Sequence, residues 1–195
     1  DPEVEELVKA ADKLSAHIKC IEELKAGNNE FRQAAAQTAA AMDARWIRVR
    51  PGTDTAFLLA VAYEMVRLDE ERGDIIDWDF VNERTEGFRI MQAQVEEFTA
   101  DYVARTCGIS VQDLVSAVKM YGTARSAAIL YCLGVTEHTT GTDGVMALSN
   151  IAMVTGNLGK PGAGMNPLRG QNNVQGACDM GAGPDDYPGY QKVWD

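Results

Sequence analysis

Ala127-Ala128-Ile129-Leu130-Tyr131-Cys132-Leu133, closed by Gly134, is the stretch on which the fold turns. A near-continuous apolar run of this length suits a strand buried on both faces, as in parallel sheets. Upstream, Trp46-Ile47-Arg48-Val49-Arg50 alternates, with Ile47 and Val49 on one face, and predicts a second strand that Pro51-Gly52 ends. Between the two lie helices. Thr53 or Asp54 caps an apolar one reaching about Leu68, and Ser110-Val111-Gln112-Asp113 starts another that ends near Tyr121. Thr142 to Thr155 reads as an amphipathic helix after the second strand. Strand, helices, strand, helix is the grammar of a parallel α/β layer with helices on both faces.

The flanks differ from this middle. Asp1 and Pro2 suit the start of a helix, and Val4, Leu7, Val8, Ala11, Leu14, Ile18, Ile21 and Leu24 recur at helical spacing. Gly27-Asn28-Asn29 stops it, and an alanine-rich helix from about Glu30 to Ala44 completes a helical hairpin. His17 has no second ligand at metal spacing and reads as structural. At the other end, residues 156–190 hold 9 of the 18 glycines and 4 of the 6 prolines, with only 3 acidic and 2 basic residues. Side-chain amides on such a backbone suit a loop wrapped around a polar ligand better than a solvated linker. The expected division is a helical segment over 1–44, an α/β layer over 45–170 and a glycine-rich loop over 171–195.

Charge and cysteines narrow the function classes. The 195 residues carry a formal net charge of −11, with no basic patch for a nucleic acid. Residues 64–101 hold 12 acidic and 4 basic residues and read as a solvated helical surface. Trp78, Phe80, Phe88 and Phe98 are expected to anchor its short helices. The longest apolar run, Thr55 to Met65, is too short to span a bilayer. Cys20, Cys107, Cys132 and Cys178 form no metal-type pair, so no metal ligand is assigned and buried free thiols are expected. Asp1-Pro2-Glu3 opens a helix rather than a signal peptide, and cytoplasm is the default compartment.

In an open parallel sheet, ligands bind beyond the carboxyl ends of the strands. Two segments fall there. In Pro51-Gly52-Thr53-Asp54, Gly52 admits a ligand to the backbone, and Asp54 either caps the next helix or accepts two hydrogen bonds from a guanine edge. The second is Gly134-Val135-Thr136-Glu137-His138, where His138 is a base or a bystander. Arg169 is the most informative charge, because no acidic residue lies between Asp143 and Asp179. It is reserved for a ligand anion or bonded to backbone carbonyls.

Met165 to Gly181, MNPLRGQNNVQGACDMG, closely resembles the signature loop of molybdenum- or tungsten-dependent formate dehydrogenases with a bis-(molybdopterin guanine dinucleotide) cofactor. The resemblance extends to Gly134-Val135-Thr136, to Leu148–Pro161 and Pro184–Tyr190, and upstream to Arg50–Asp54 and Asp79–Phe88. It implies two-electron oxidation of formate to carbon dioxide, with Arg169 holding the formate carboxylate and Gln171 beside it. It also implies that Gly134, Val135, Thr136 and Glu137 line the pterin dinucleotide. Gly52 and Asp54 would sit near a guanosine end, while Gly170, Asn172 and Asn173 shape the loop over the metal centre. The resemblance further implies that the α/β layer over 45–170 is a dinucleotide-binding domain and the loop over 171–195 a cofactor loop.

The chain departs from the family pattern in several places. It lacks the cysteine- or selenocysteine-histidine pair that binds the metal and the cysteines of the 4Fe-4S cluster expected in an N-terminal part. Residues 1–37 do not resemble the family, and Glu137 stands where related enzymes often carry glutamine. The resemblance therefore implies part of a catalytic subunit, completed by the rest of that subunit and by iron–sulfur or flavin electron-transfer subunits. Two alternatives are a nitrate-reductase-type enzyme of the same cofactor family and a non-catalytic pterin-binding or assembly module.

Overall fold

A computed structural model describes residues 19–20, 32–34, 37 and 45–194. The chain divides into two compact units, residues 1–47 and 48–195. Most of the expected hairpin lies outside the described residues; those described before residue 45 are helical, and Cys20 among them is buried.

The second unit is built around α1 (Asp54–Arg72). Leu58, Val61, Ala62, Met65, Val66 and Leu68 are buried along it. It packs against α7 (Gly141–Val154), with Ala147, Leu148, Ile151 and Val154 buried, and against α5 (Val111–Gly122), with Leu114 and Val118 buried. Short helices α2 (Trp78–Arg84), α3 (Phe88–Val95) and α4 (Ala100–Val103), followed by a π-helical turn (Ala104–Gly108), wrap this core. Phe88 and Phe98 pack onto it as expected, whereas Trp78 stays 39% exposed and holds Phe88 edge-on at 5.0 Å. Ser110 caps α5 by accepting from the Asp113 amide. Thr53 is the N-cap residue of α1, as expected, with its carbonyl accepting from the Phe57 amide at 3.0 Å; its hydroxyl makes no capping bond and donates instead to the Arg50 carbonyl at 2.7 Å.

The acidic stretch is not wholly solvated. Glu64 is 1% exposed because Arg67, one turn on, clamps its carboxylate with both Nε and Nη2. Asp69 is buried because its carboxylate accepts from the Ile75 and Ile76 amides and from the Trp78 indole, each at 2.9 Å. That carboxylate replaces water for the donors that leave α1, which fixes the turn into α2.

Strand β1 (Ala128–Tyr131) pairs in parallel with β2 (Gly164–Pro167), Ala128 opposite Gly164 and Tyr131 opposite Pro167. The unit is thus mixed α/β with a parallel sheet, joined by α6 (Leu133–Thr136) and α7. Buried Asn157 anchors the start of β1, accepting from the Ala127 amide at 3.0 Å. Ile129 and Tyr131 pack on the core, but Leu130 is 50% exposed, so the run expected to be buried on both faces is buried on one. Trp46–Arg50 forms no strand: its backbone is irregular, and the Arg50 amide donates to the Cys107 carbonyl at 2.9 Å. Alternation alone makes no strand where no neighbouring strand supplies the ladder. Helix α8 (Val174–Asp179) and a small antiparallel pair, β3 (Asp186–Tyr187) and β4 (Gln191–Lys192), end the chain. The cysteines are free thiols, but only Cys20 and Cys107 are buried; Cys132 is half-buried and Cys178 exposed. No described helix is long and apolar enough to cross a membrane.

Candidate functional site

The parallel pairing of β1 and β2 places the residues that follow both strands at one end of the sheet. The Leu168 amide donates to the Tyr131 carbonyl at 2.7 Å, so the chain leaves β2 beside Cys132. A Cβ added to Gly170 would meet the Leu133 side chain at 3.4 Å. The Gly134–His138 segment and the Arg169–Asn173 segment therefore leave from adjoining strand ends.

The Pro51–Asp54 turn joins the same end through histidine. His138 Nε2 lies 2.8 Å from the Gly134 carbonyl and 3.6 Å from Asp54 Oδ2. A ring nitrogen that faces a carbonyl oxygen carries its hydrogen there. Nε2 is therefore a donor to its own segment, and the ring lies beside the Asp54 carboxylate where the two segments meet. A tie runs beside it, where the Thr55 hydroxyl lies 3.2 Å from the Thr140 carbonyl. Gly144, buried on α7, faces Val135 and Thr55 at 3.2 and 3.3 Å from where its Cβ would sit. Arg50 does not face this end. Its Nη1 donates to the Arg105 and Thr106 carbonyls, which uses it to brace the π-helical turn.

The surface made this way is open and polar. Gly52, Gly134, Thr136, Glu137, Gly170, Gln171, Asn172 and Asn173 are exposed, while Asp54 and Val135 are half-buried. A Cβ would meet nothing within 4 Å at Gly52 or Gly134, so both leave the backbone accessible. Asn173 adopts the left-handed conformation, φ 50°, and sets the turn into α8. Exposed backbone and amides around an open strand end fit an extended ligand of the dinucleotide kind. Among the described residues no three histidine, cysteine or acidic side chains gather to hold a metal.

Arg169 is exposed, and its partner among the described residues is neither a carboxylate nor a backbone carbonyl. Its Nη2 donates to Gln175 Oε1 at 2.8 Å. Gln175 Nε2 in turn faces Asp179 Oδ1 at 3.0 Å and the Tyr190 hydroxyl at 2.9 Å. Tyr190 also donates to Asp179. Hydrogen bonds from Tyr190 and then Gln175 hold the Asp179 carboxyl below its ordinary range, and the Asp179 carboxylate pushes the Tyr190 phenol up. The sequence counts Gln175 among the amides of the glycine-rich loop but assigns it, Asp179 and Tyr190 no individual role. Their one legible sign was the four-residue spacing of Gln175 and Asp179, which puts them on one helical face.

The comparisons with known proteins fall in two parts. A family described as 5'-deoxynucleotidase YfbR-like matches residues 1–50, the region that the formate dehydrogenase resemblance leaves largely uncovered. The F420-dependent formate dehydrogenase subunit alpha of Methanocaldococcus jannaschii is 46% identical over 150 residues, covering 77% of this chain and 22% of that protein. Formate dehydrogenase H of Escherichia coli is 48% identical over 149 residues, 76% of this chain and 20% of that protein. Among solved structures, acetylene hydratase from Pelobacter acetylenicus shares the fold, with a TM-score of 0.58 at 19% identity over 69% of this chain and 19% of that one. The chain spans about a fifth of the length of these curated relatives. Over roughly three quarters of its length, this chain is similar to part of these formate dehydrogenases.

Proposed function

We propose that this chain is part of the catalytic subunit of a formate dehydrogenase, which oxidises formate to carbon dioxide with release of one proton and two electrons. The observation that carries the reading is Arg169. Among the described residues it is a guanidinium paired with an amide oxygen and with no carboxylate, on the loop leaving β2, beside two further segments at the same sheet end.

In this reading Arg169 binds the formate carboxylate through paired N–H donors and turns its C–H bond toward the reacting centre. Gln171 lies beside it. Gly134, Val135, Thr136 and Glu137 line one pterin dinucleotide, and Gly52 and Asp54 receive a guanosine end, the carboxylate accepting from the guanine edge. Gly170, Asn172 and Asn173 shape the loop that covers the pocket. A molybdenum or tungsten centre held by two molybdopterin guanine dinucleotides supplies the two-electron acceptor chemistry. The metal ligand, a 4Fe-4S cluster and the partner electron-transfer subunits belong to parts of the enzyme outside this sequence. A cytoplasmic setting and the division at 44 and 170 complete the reading. No nucleotidase activity is assigned to residues 1–50.

The test is composition and turnover of the complete protein that carries this chain. Molybdenum or tungsten with pterin, together with formate-dependent dye reduction, supports the reading. A metal-free protein, or one that reduces nitrate and ignores formate, overturns it.

A further inference from the structure

We propose that Gln175 is a positioning residue for Arg169, locked in orientation by Asp179 and Tyr190, so that the guanidinium is aimed before a carboxylate arrives. The proposal rests on the reading of Arg169 as the formate-binding group.

A glutamine side chain offers one acceptor oxygen and one donor NH₂. Both Nε2 hydrogens of Gln175 are used, toward Asp179 Oδ1 at 3.0 Å and the Tyr190 hydroxyl at 2.9 Å. The amide oxygen is thereby turned toward Arg169 Nη2, 2.8 Å away. Flipping the amide would set its NH₂ against the guanidinium N–H groups and its oxygen against the Asp179 carboxylate. Both contacts are repulsive, so the orientation is determined by charge. Gln175 and Asp179 are four residues apart on α8, and Tyr190 reaches them from the turn between β3 and β4, where its φ is 63°. The Gly189 amide secures that turn on the Asp179 carbonyl at 2.8 Å.

The consequence is preorganisation. An arginine side chain loses much rotamer freedom when it grips a ligand, and a hydrogen bond that holds it beforehand removes part of that loss. One Nη2 hydrogen goes to Gln175, and the remaining N–H donors stay available for a planar anion. A neutral amide holds the guanidinium without competing for its charge, as a glutamate at this position would.

The test is a double-mutant cycle on formate kcat/KM in the complete holoenzyme that carries this chain, using Arg169→Lys, Gln175→Leu and the double variant. Gln175→Leu is expected to lower kcat/KM about tenfold, the scale of one charge-assisted hydrogen bond, mainly through KM. In the Arg169→Lys background the same change is expected to cost less than twofold, because Gln175 acts through Arg169. Losses that multiply in the double variant overturn the positioning role. Arg169→Lys with unchanged formate KM and kcat overturns the reading of Arg169 itself, and the proposal with it. If Arg169→Lys impairs the enzyme while Gln175→Leu does not, only the Gln175 role falls. A readout without turnover is Arg169 guanidinium rotation in the complete isotope-labelled protein that carries this chain, followed by NMR. The Arg169 Nη signals are expected to be resolved in the parent chain and averaged in Gln175→Leu, and identical spectra overturn the proposal.

Discussion

Replacing Gly141 with alanine forces the first residue of α7 against the Gly134–His138 segment. The added Cβ would lie 2.1 Å from the Thr136 carbonyl oxygen and 2.8 Å from its carbon. A carbon meets a carbonyl oxygen comfortably only near ~3.3 Å, so the segment must retreat by about 1 Å. The neighbour is backbone and has no rotamer through which to escape. Overpacking of this kind costs ~1–3 kcal/mol. Subtracting the ~1 kcal/mol that alanine gains over glycine in a helix leaves a net loss of up to about 2 kcal/mol. For a unit of about 150 residues that lowers Tm by up to roughly 8 °C. Gly134→Ala is the control: nothing lies within 4 Å of its Cβ, and its Tm is expected to stay within about 1 °C of the parent. Scanning calorimetry of the 195-residue chain measures both. Equal melting of the two variants would refute the packing argument and, with it, the claim that α7 braces the segment after β1.

Asp69→Ala strands two backbone amides and an indole N–H, and should cost about 3 kcal/mol, read as a lower urea midpoint at unchanged slope. The Asp179 carboxyl titrates below its ordinary value of 3.8, so its contribution to the α8–Tyr190 contact is complete above that value and is lost as pH falls through the depressed one. The Tyr190 phenol titrates above its ordinary 10.0, so its contribution is complete below that value and is lost as pH rises through the raised one. The protection factor of the Gly189 amide, its intrinsic exchange rate divided by the observed one, should therefore be highest between these limits and fall beyond each. Asp179→Asn should return the Tyr190 titration, followed by ultraviolet absorbance, toward the ordinary value; no movement would remove Asp179 as the cause.

Much of the second unit was legible because its signals are local. Ser110 caps α5, the apolar spacing of Leu58 to Leu68 marks α1, and Ala127–Leu133 contains β1. What stayed hidden depends on partners distant in sequence. Trp46–Arg50 alternates like a strand, yet only a neighbouring strand would make it one. Strand β2 is Gly-Met-Asn-Pro, a composition that reads as loop and becomes a strand only because β1 offers it a ladder. Asp69 sits in an acidic run with nothing local to distinguish it from its solvated neighbours. Arg169 stood out by its isolation from carboxylates, but that isolation does not disclose an amide six residues on.

The central claim is that Arg169 faces a small carboxylate beside a metal–pterin centre. Formate turnover by the Arg169→Lys holoenzyme, normalised to its metal and pterin content, tests it most directly. The account expects loading equal to the parent, with a formate KM raised at least tenfold, because lysine offers a point charge in place of a two-pronged donor. Parent-like formate kinetics in a fully loaded Arg169→Lys enzyme would contradict it.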